Sequence, residues 1–369
     1  MKRRDFVAKL GLGTLAGGSL LAGCGKEEPA TEAMTSKKVE TEYKWNMVTT
    51  WPKDFPGLGT GANTLARLIN EMSGGRMHVK VYGAKELVPA FEVFDAVSNG
   101  TAQIGHGAAY YWKAKNEAFQ FFSTVPFGMN AQEMNGWLFH GGGLQLWQQA
   151  YEPFNLIPAP AGNTTVQMAG WFNKEINSIA DLKGLKMRIP GLGGEAFSRA
   201  GGTPVNLPGG ELFTALQTGV LDATEWVGPY NDLAFGFHKV AKHYYYPGWH
   251  EPGTTLEAII NKTAYDALPA DLQAIVMSAC RIANQDMVDE YTTNNNAALH
   301  ELVNTHKVDV RRLPDDVLEK LRELSNDVVS EVANKSDMGR EVFASYSKYL
   351  DQAKQWHSIS EQAYYNARG

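Results

Sequence analysis

From Tyr43 onward, short apolar runs alternate with stretches in which apolar residues recur at helical spacing. The order is YKWNMVTTW, a helix from Asn63 to about Ser73, MHVKVYG, a helix from Ala90 to Ser98, and QIGHGA. Runs of that length between helices of that period predict a β-α-β-α-β unit. A second series follows, through VQMAGWF, LKMRIP, a helix from Glu195 to Ala200, TPVNL, a helix from Gly210 to Gln217, and LDATEW. Two α/β lobes are the expected result.

The two series share a local unit. VFDAVSNGTAQIG from Val93 parallels LFTALQTGVLDAT from Leu212 in its helix, its glycine stop and its following short strand. Gly100 and Gly219 stand where the end of a helix calls for positive φ. The repetition predicts two similar lobes with a cleft between them, lobe I over 43–165 (completed by about 252–300) and lobe II over 166–251. After Pro269 the pattern changes, because the rest of the segment 269–306 contains neither Gly nor Pro and reads as one long spine helix able to span both lobes. A short strand near 308–313 is assigned to lobe II. Residues 315–369 are then helical, with Val317, Leu318, Leu321, Leu324, Val328, Val329 and Val332 at helical spacing. The aromatic run Phe343, Tyr346, Tyr349, Trp356, Tyr364 and Tyr365 predicts that the terminal helix docks on another surface, a second copy in a homodimer.

At 369 residues, 44% hydrophobic and 20% charged, with a mean hydropathy of -0.30, the chain has the composition of a globular protein rather than a disordered one. No run reaches the ~18 apolar residues of a membrane span. The formal charge is -6, and without the first 23 residues 30 basic stand against 39 acidic side chains, a net -9. An acidic chain with no basic run argues against nucleic acid as a partner.

The beginning of the chain carries an address. MKRRDFVAKLGLGTLAGGSLLAGC, with adjacent Arg3 and Arg4 and a final Leu-Ala-Gly-Cys, resembles a twin-arginine export signal ending in a lipobox. Such a signal spans 1–23, is removed, and leaves Cys24 lipidated at the head of a tether over 24–42. The expected location is the periplasm or the outer side of the cytoplasmic membrane. Cys280 is then the single remaining cysteine, so a disulfide within the chain and a cysteine zinc site are both excluded.

There is no G-x-S-x-G elbow, Walker A sequence, H-E-x-x-H or EF-hand loop. One enzyme motif does match. Gly191-x-Gly193-x-x-Ala196 after a strand, with Glu211 twenty residues on, has the form of a dinucleotide fingerprint and keeps open an exported dinucleotide-dependent oxidoreductase. Pro190 before the glycines, and the position of Glu211 at a helix start, count against it.

Four other segments, TVQMAGWF, LKMRIPG, TEWVGPYND and PGWHEPG, set polar residues among aromatics at predicted strand ends. Arg188 reads either as a solvated surface group or as a planar fork for a carboxylate. Glu225, with Gln167 and main-chain oxygens, could supply ligands to a hard cation. His250, beside Glu251, reads as structural.

The stretch LKGLKMRIPGLGGEAFSRAGGTPVNLPGGELFTALQTGVLDATEWVGPYND resembles the solute-binding receptors of tripartite ATP-independent periplasmic (TRAP) transporters, and TEWVGPYND with PGWHEPG resembles their branch that binds 2-oxo acids. The resemblance covers essentially all of the chain from Tyr43. It implies a non-enzymatic, two-lobed clamp with a spine helix and a helical C-terminal extension. It further implies a small carboxylate such as pyruvate bound with a cation, sodium or calcium, and delivery to the transporter's membrane subunits. By position, Arg188 matches the carboxylate arginine, Gln167 and Glu225 the metal-ligating side chains, and Trp226 a residue touching metal and substrate. Glu251 matches a further substrate contact, and Tyr110 and Tyr111 fall where the other lobe presents aromatics. Most relatives carry an ordinary secretory signal, so the paired arginines and lipobox depart from the pattern.

Overall fold

Alternating strand residues and helical stripes build two sheets in a computed structural model of the chain, which describes residues 43–369. The signal, Cys24 and the tether lie outside the described residues. The first half runs β1 (Tyr43–Thr49), α1 (Leu58–Met72), β2 (Met77–Tyr82), α2 (Val93–Ser98), β3 (Ile104–Gly107), α3 (Phe119–Ser123), α4 (Ala131–His140), α5 (Gly143–Tyr151) and β4 (Leu156–Asn163). Next come β5 (Gly170–Phe172), β6 (Lys186–Arg188), α6 (Gly191–Arg199), β7 (Thr203–Val205), α7 (Leu212–Gln217), β8 (Ala223–Thr224), α8 (Pro229–Phe235) and β9 (His243–Tyr246). The chain ends with β10 (Thr255–Asn261), α9 (Lys262–Asp266), α10 (Ala270–Asn304), β11 (Asp309–Arg312), α11 (Asp315–Asn334), α12 (Asp337–Ile359) and α13 (Glu361–Arg368).

One sheet has the order β2-β1-β3-β10-β4 and the other β11-β9-β5-β8-β6-β7. In the first, β1 pairs in parallel with β2 and β3; in the second, β6 pairs in parallel with β7 and β8. The chain crosses between sheets after β4 and again after β9, and the residues of these two crossovers reappear in the site. The 35-residue α10 packs on β4 and α1 at one sheet and on α8 at the other.

The internal repeat is present at the level of single hydrogen bonds. Asn99 N donates to Asp95 O and Thr218 N to Thr214 O; Ala102 N donates to Ala96 O and Leu221 N to Ala215 O. Gly100 and Gly219 hold φ of 82° and 72°, values that cost other residues a steric penalty.

Two helices begin earlier than their patterns indicate. The first starts at Leu58 instead of Asn63, and the other at Gly191 instead of Glu195. Glycine's low helix propensity argues for a later start, but neighbours press on these positions. A Cβ on Gly59 would lie 2.8 Å from Pro52 O, and one on Gly61 2.3 Å from the end of Met287. Close packing overrides propensity there.

The aromatic run at the C-terminus divides in two. Tyr346 is buried and its hydroxyl accepts from Met129 N at 2.9 Å. Phe343 and Tyr349 pack on the same core. These three rings are therefore used within their own chain, which removes them from any argument for a second copy. Trp356, Ile359, Tyr364 and Tyr365 are exposed.

Candidate ligand-binding site

In open α/β sheets, side chains at the C-terminal ends of parallel strands converge on the space beyond the sheet. Both sheets obey this rule here. Arg188 ends β6, Glu225 follows β8, and Glu225 N donates to Arg188 O at 3.2 Å. From the other sheet, Trp51 follows β1, and Tyr110 and Tyr111 sit on a 3-10 turn, Ala109–Trp112, just after β3. The crossovers supply the rest. Gln167 lies between β4 and β5, and His250, Glu251 and Thr254 lie between β9 and β10; Gln167 N donates to Glu251 O at 3.2 Å, tying one crossover to the other.

These groups surround a narrow space lined by Trp51, Tyr110, Tyr111, Gln167, Arg188 and Trp226, with Thr164, Thr254 and neighbouring apolar residues. A wider cavity lies on the other side of Tyr110 and Tyr111, lined by both lobes. Lys113 and Glu195 on its wall approach to 3.5 Å. Aromatic contacts join the lobes around the site, Trp51 against Trp226 at 6.2 Å between ring centres and Phe55 stacked on Phe235 at 4.3 Å.

Arg188 is 1% exposed and is a cleft group rather than a surface one. Its Nη1 donates to Glu225 Oε1, Nη2 to the Tyr111 hydroxyl at 3.2 Å, and Nε to Leu207 O at 3.1 Å. Its guanidinium also lies 4.9 Å from the centre of the Trp226 ring. Burial works against the charge, but Glu225, the two tyrosines and Glu251 outweigh that cost and raise the arginine's pKa. Gln167 Nε2 donates to Glu251 Oε2 at 2.8 Å, Thr164 Oγ1 at 3.0 Å and Thr254 Oγ1 at 3.3 Å. Burial first, and then the Glu225 charge, push the Glu251 carboxyl up to about 7.

Among the described residues, several buried atoms in this cluster have no hydrogen-bond partner: Gln167 Oε1, Glu225 Oε2, Trp226 Nε1 and both His250 ring nitrogens. His250 Nε2 lies 3.4 Å from Glu225 Oε2, close enough for an ion pair but without hydrogen-bond geometry. Leaving such groups unpaired in a buried place is costly, so this concentration marks a place built for something else. The ligating atoms of Glu225, His250 and Glu251 all lie within 4.8 Å of one another. Free oxygens on Gln167 and Glu225 add hard-donor capacity, so the residues present suit a hard cation.

All seven residues singled out in the sequence, Tyr110, Tyr111, Gln167, Arg188, Glu225, Trp226 and Glu251, fall in this one cluster. His250, read as structural, belongs to it as well, and its position between Trp249 and Glu251 was the available signal. Trp51, Thr164 and Thr254 carried no signal, since a Trp at a strand end and threonines in a crossover are common anywhere.

The dinucleotide fingerprint has another explanation. A Cβ on Gly193 would lie 2.7 Å from His250 Cβ, and one on Gly194 2.4 Å from Ile189 O. These glycines admit the site's own histidine and the preceding strand. Glu211 stands at a helix start and pairs with Lys85 at 2.8 Å.

Comparison with known proteins gives the family. The monocarboxylate 2-oxoacid-binding periplasmic protein of Nostoc sp. (strain PCC 7120) is 40% identical over 366 residues, 99% of this chain and 98% of that one. A TRAP periplasmic solute-binding protein from Pseudoalteromonas atlantica, solved with bound sodium and pyruvate, is 42% identical with a TM-score of 0.86, covering 88% of this chain and 99% of that one. A TRAP transporter solute-binding protein from Bordetella bronchiseptica, a mixed-occupancy dimer with copurified calcium and picolinate in its occupied site, is 34% identical. Its TM-score is 0.87 over 89% of this chain and 98% of that one. Residues 47–336 match the bacterial extracellular solute-binding proteins of family 7, and the chain therefore belongs to this family of TRAP-type solute receptors rather than to an enzyme class.

Proposed function

We propose that the cleft binds a small 2-oxo monocarboxylate such as pyruvate together with a cation, sodium or calcium, and that the loaded receptor passes it to the membrane subunits of a TRAP transporter. The observation that carries this reading is the set of unpartnered buried atoms around Arg188. Arg188 offers a planar fork for the carboxylate. Gln167 Oε1, Glu225 Oε2 and the main-chain oxygen of Trp226 hold the cation, with the ligand's own oxygens completing its shell. Trp226, Glu251, Gln167, Tyr110 and Tyr111 contact the substrate.

Charge supports the cation. An ionised Glu225 and a bound monocarboxylate make two negative charges against the one positive charge of Arg188, and a sodium ion brings the sum to zero. Oxygen donors favour a hard ion over a soft one. The Nostoc relative's name and the ligands of the Pseudoalteromonas structure support the class of solute.

In this reading lobe I (43–165, completed within 252–300) and lobe II (166–251, with 308–313) close about the two crossovers. The chain is exported by the twin-arginine route and anchored by a lipid on Cys24. Two copies pair through the exposed end of the C-terminal helices, as the dimeric Bordetella structure encourages. Changing Trp356 and Ile359 together to Asp should then give a folded monomer by sedimentation, and an untouched dimer would refute that contact.

The main test is titration of pyruvate into metal-stripped protein in choline buffer, then in sodium and in calcium. Affinity should rise with either cation, and cation and ligand should each tighten the other by the same factor. Glu225→Gln should weaken that coupling. A ligand at a hundredfold excess over Kd should stabilise the fold by ~2.7 kcal/mol. Equal affinity in all three buffers, unaffected by the substitution, would remove the cation, and no response to any 2-oxo acid would remove the solute class.

A further inference from the structure

Glu257 is fully buried on β10, one residue beyond the cavity-lining Leu256. Its Oε1 accepts from Trp112 Nε1 at 2.6 Å and its Oε2 from the Tyr151 hydroxyl at 2.8 Å. Those two donors come from different parts of the same lobe, Tyr151 from the end of α5 and Trp112 from the turn that carries Tyr110 and Tyr111. The Trp112 ring is packed so closely that a Cβ on Gly107 would lie 3.1 Å from its Cζ2. Trp112 is buried against Phe94, and its neighbour Tyr111 is the residue whose hydroxyl meets Arg188 at 3.2 Å across the cleft.

We infer that Glu257 is a positioning residue for the solute site: by holding Trp112 it fixes the turn that sets the Tyr111 hydroxyl on Arg188. This rests on the reading of the Arg188 cleft as the solute site. Among the described residues, no hydrogen bond or ion pair joins the Glu257 side chain to the proposed cation shell. Among the described residues, Trp112 and Tyr151 are its hydrogen-bonding partners. Burial pushes its carboxyl up to about 8; as the neutral acid it accepts from Trp112 through one oxygen and gives its own proton to the Tyr151 hydroxyl oxygen, an arrangement that glutamine's carbonyl and amide reproduce. Replacing it with an apolar residue strands the Trp112 N–H in the core and releases the turn.

The test measures pyruvate binding in sodium buffer at a temperature where circular dichroism shows each variant folded. Glu257→Leu and Trp112→Phe, which cut the link from opposite ends, should each weaken binding by about tenfold. Glu257→Gln should stay within about twofold of the wild type, a rescue that a charge-based role would not permit. Because the effect runs through Tyr111, Glu257→Leu should cost no more than about twofold when added to Tyr111→Phe. If Glu257→Leu fails to fold, Trp112→Phe carries the same test. Wild-type affinity in Glu257→Leu and Trp112→Phe overturns the inference, as does an equal loss with and without the Tyr111 hydroxyl. Arg188→Ala separates the two failures: if it abolishes binding while these variants do not, only the positioning role falls, and if it too is silent, the site reading itself is wrong.

Discussion

Glu225 and Glu257 are both fully buried, yet they are housed in opposite ways. Glu225 sits against a guanidinium and leaves one oxygen without a hydrogen bond. Among the described residues Glu257 meets no cation, and both its oxygens are hydrogen-bonded to neutral groups. A carboxylate kept beside a charge with a free oxygen retains lone pairs for a further partner, which is the role proposed for Glu225. A carboxyl buried away from any charge is cheapest to bury with its proton on, because burial raises its pKa by more than its hydrogen bonds lower it. Depth of burial does not separate a binding group from a supporting one; the state of its partners does.

The largest effect comes from breaking the first arrangement. Arg188→Ala should cost ~2 to 5 kcal/mol of solute affinity, from roughly thirtyfold to several thousandfold. It should also destabilise the protein by ~3 to 5 kcal/mol, since it leaves the buried Glu225 without its counter-charge. Adding Glu225→Gln should return much of the stability and none of the affinity. Arg188→Lys should fail as well, because a point charge cannot reproduce the planar fork. Unchanged titrations in Arg188→Ala and Arg188→Lys would show that the pair is structural after all and that Glu225 differs from Glu257 in nothing but its partner.

The second arrangement is sharpened by pH. Burial raises the Glu257 carboxyl to about 8 from an ordinary value of 4.5. The folded chain thus keeps a proton that the unfolded chain has released. Its contribution to stability is fully present below about pH 4.5 and is lost as pH rises through about 8. Glu257→Gln, which has no proton to lose, should flatten this part of the profile and make the protein more stable than the wild type at pH 8 to 9, by a few kcal/mol at roughly 1.4 kcal/mol per pKa unit. Denaturant midpoints for both proteins between pH 4.5 and 9 measure it. Parallel profiles would show that the carboxyl ionises freely and that Trp112 and Tyr151 stabilise its charged form.

The cleft was more legible in the sequence than its support. Arg188, Glu225 and Trp226 stand next to strand ends, where chain position alone carries a side chain to the space beyond a sheet. The repeat around Gly100 and Gly219 marked both lobes for the same local reason. Glu257 gave no sign, because TLEAIIN reads as an ordinary short strand. Its meaning depends on Trp112 and Tyr151, 145 and 106 residues away along the chain. The start of α1 was hidden in the same manner, since the pressure of Met287 on Gly61 is a long-range fact. His250 had no spacing rule to mark its place in the cluster. What places it in the site is the fold of two crossovers that meet only in space.

The smallest effect concerns carboxylates of a third kind, exposed ones. Glu211 meets Lys85 at 2.8 Å and Glu195 meets Lys113 at 3.5 Å, each pair joining one lobe to the other, with all four side chains at least 40% exposed. Geometry alone would make them clasps on the closed form. Energetics argues otherwise, because an exposed pair gains little Coulomb energy in water and loses side-chain freedom on forming. In the proposed reading, closure is therefore assigned to the buried contacts, Tyr111 on Arg188 and Trp51 on Trp226. Lys85→Ala with Lys113→Ala should weaken solute binding by less than about fivefold at low salt. Near 0.5 M salt, where the Debye length falls to roughly 4 Å, that difference should vanish. The measurement is a pair of titrations at about 20 mM and about 0.5 M salt, for variant and wild type, well away from the midpoint of Glu257. A loss above about tenfold that survives high salt would mean that the rim holds the lobes together and that desolvated partners at the centre do not.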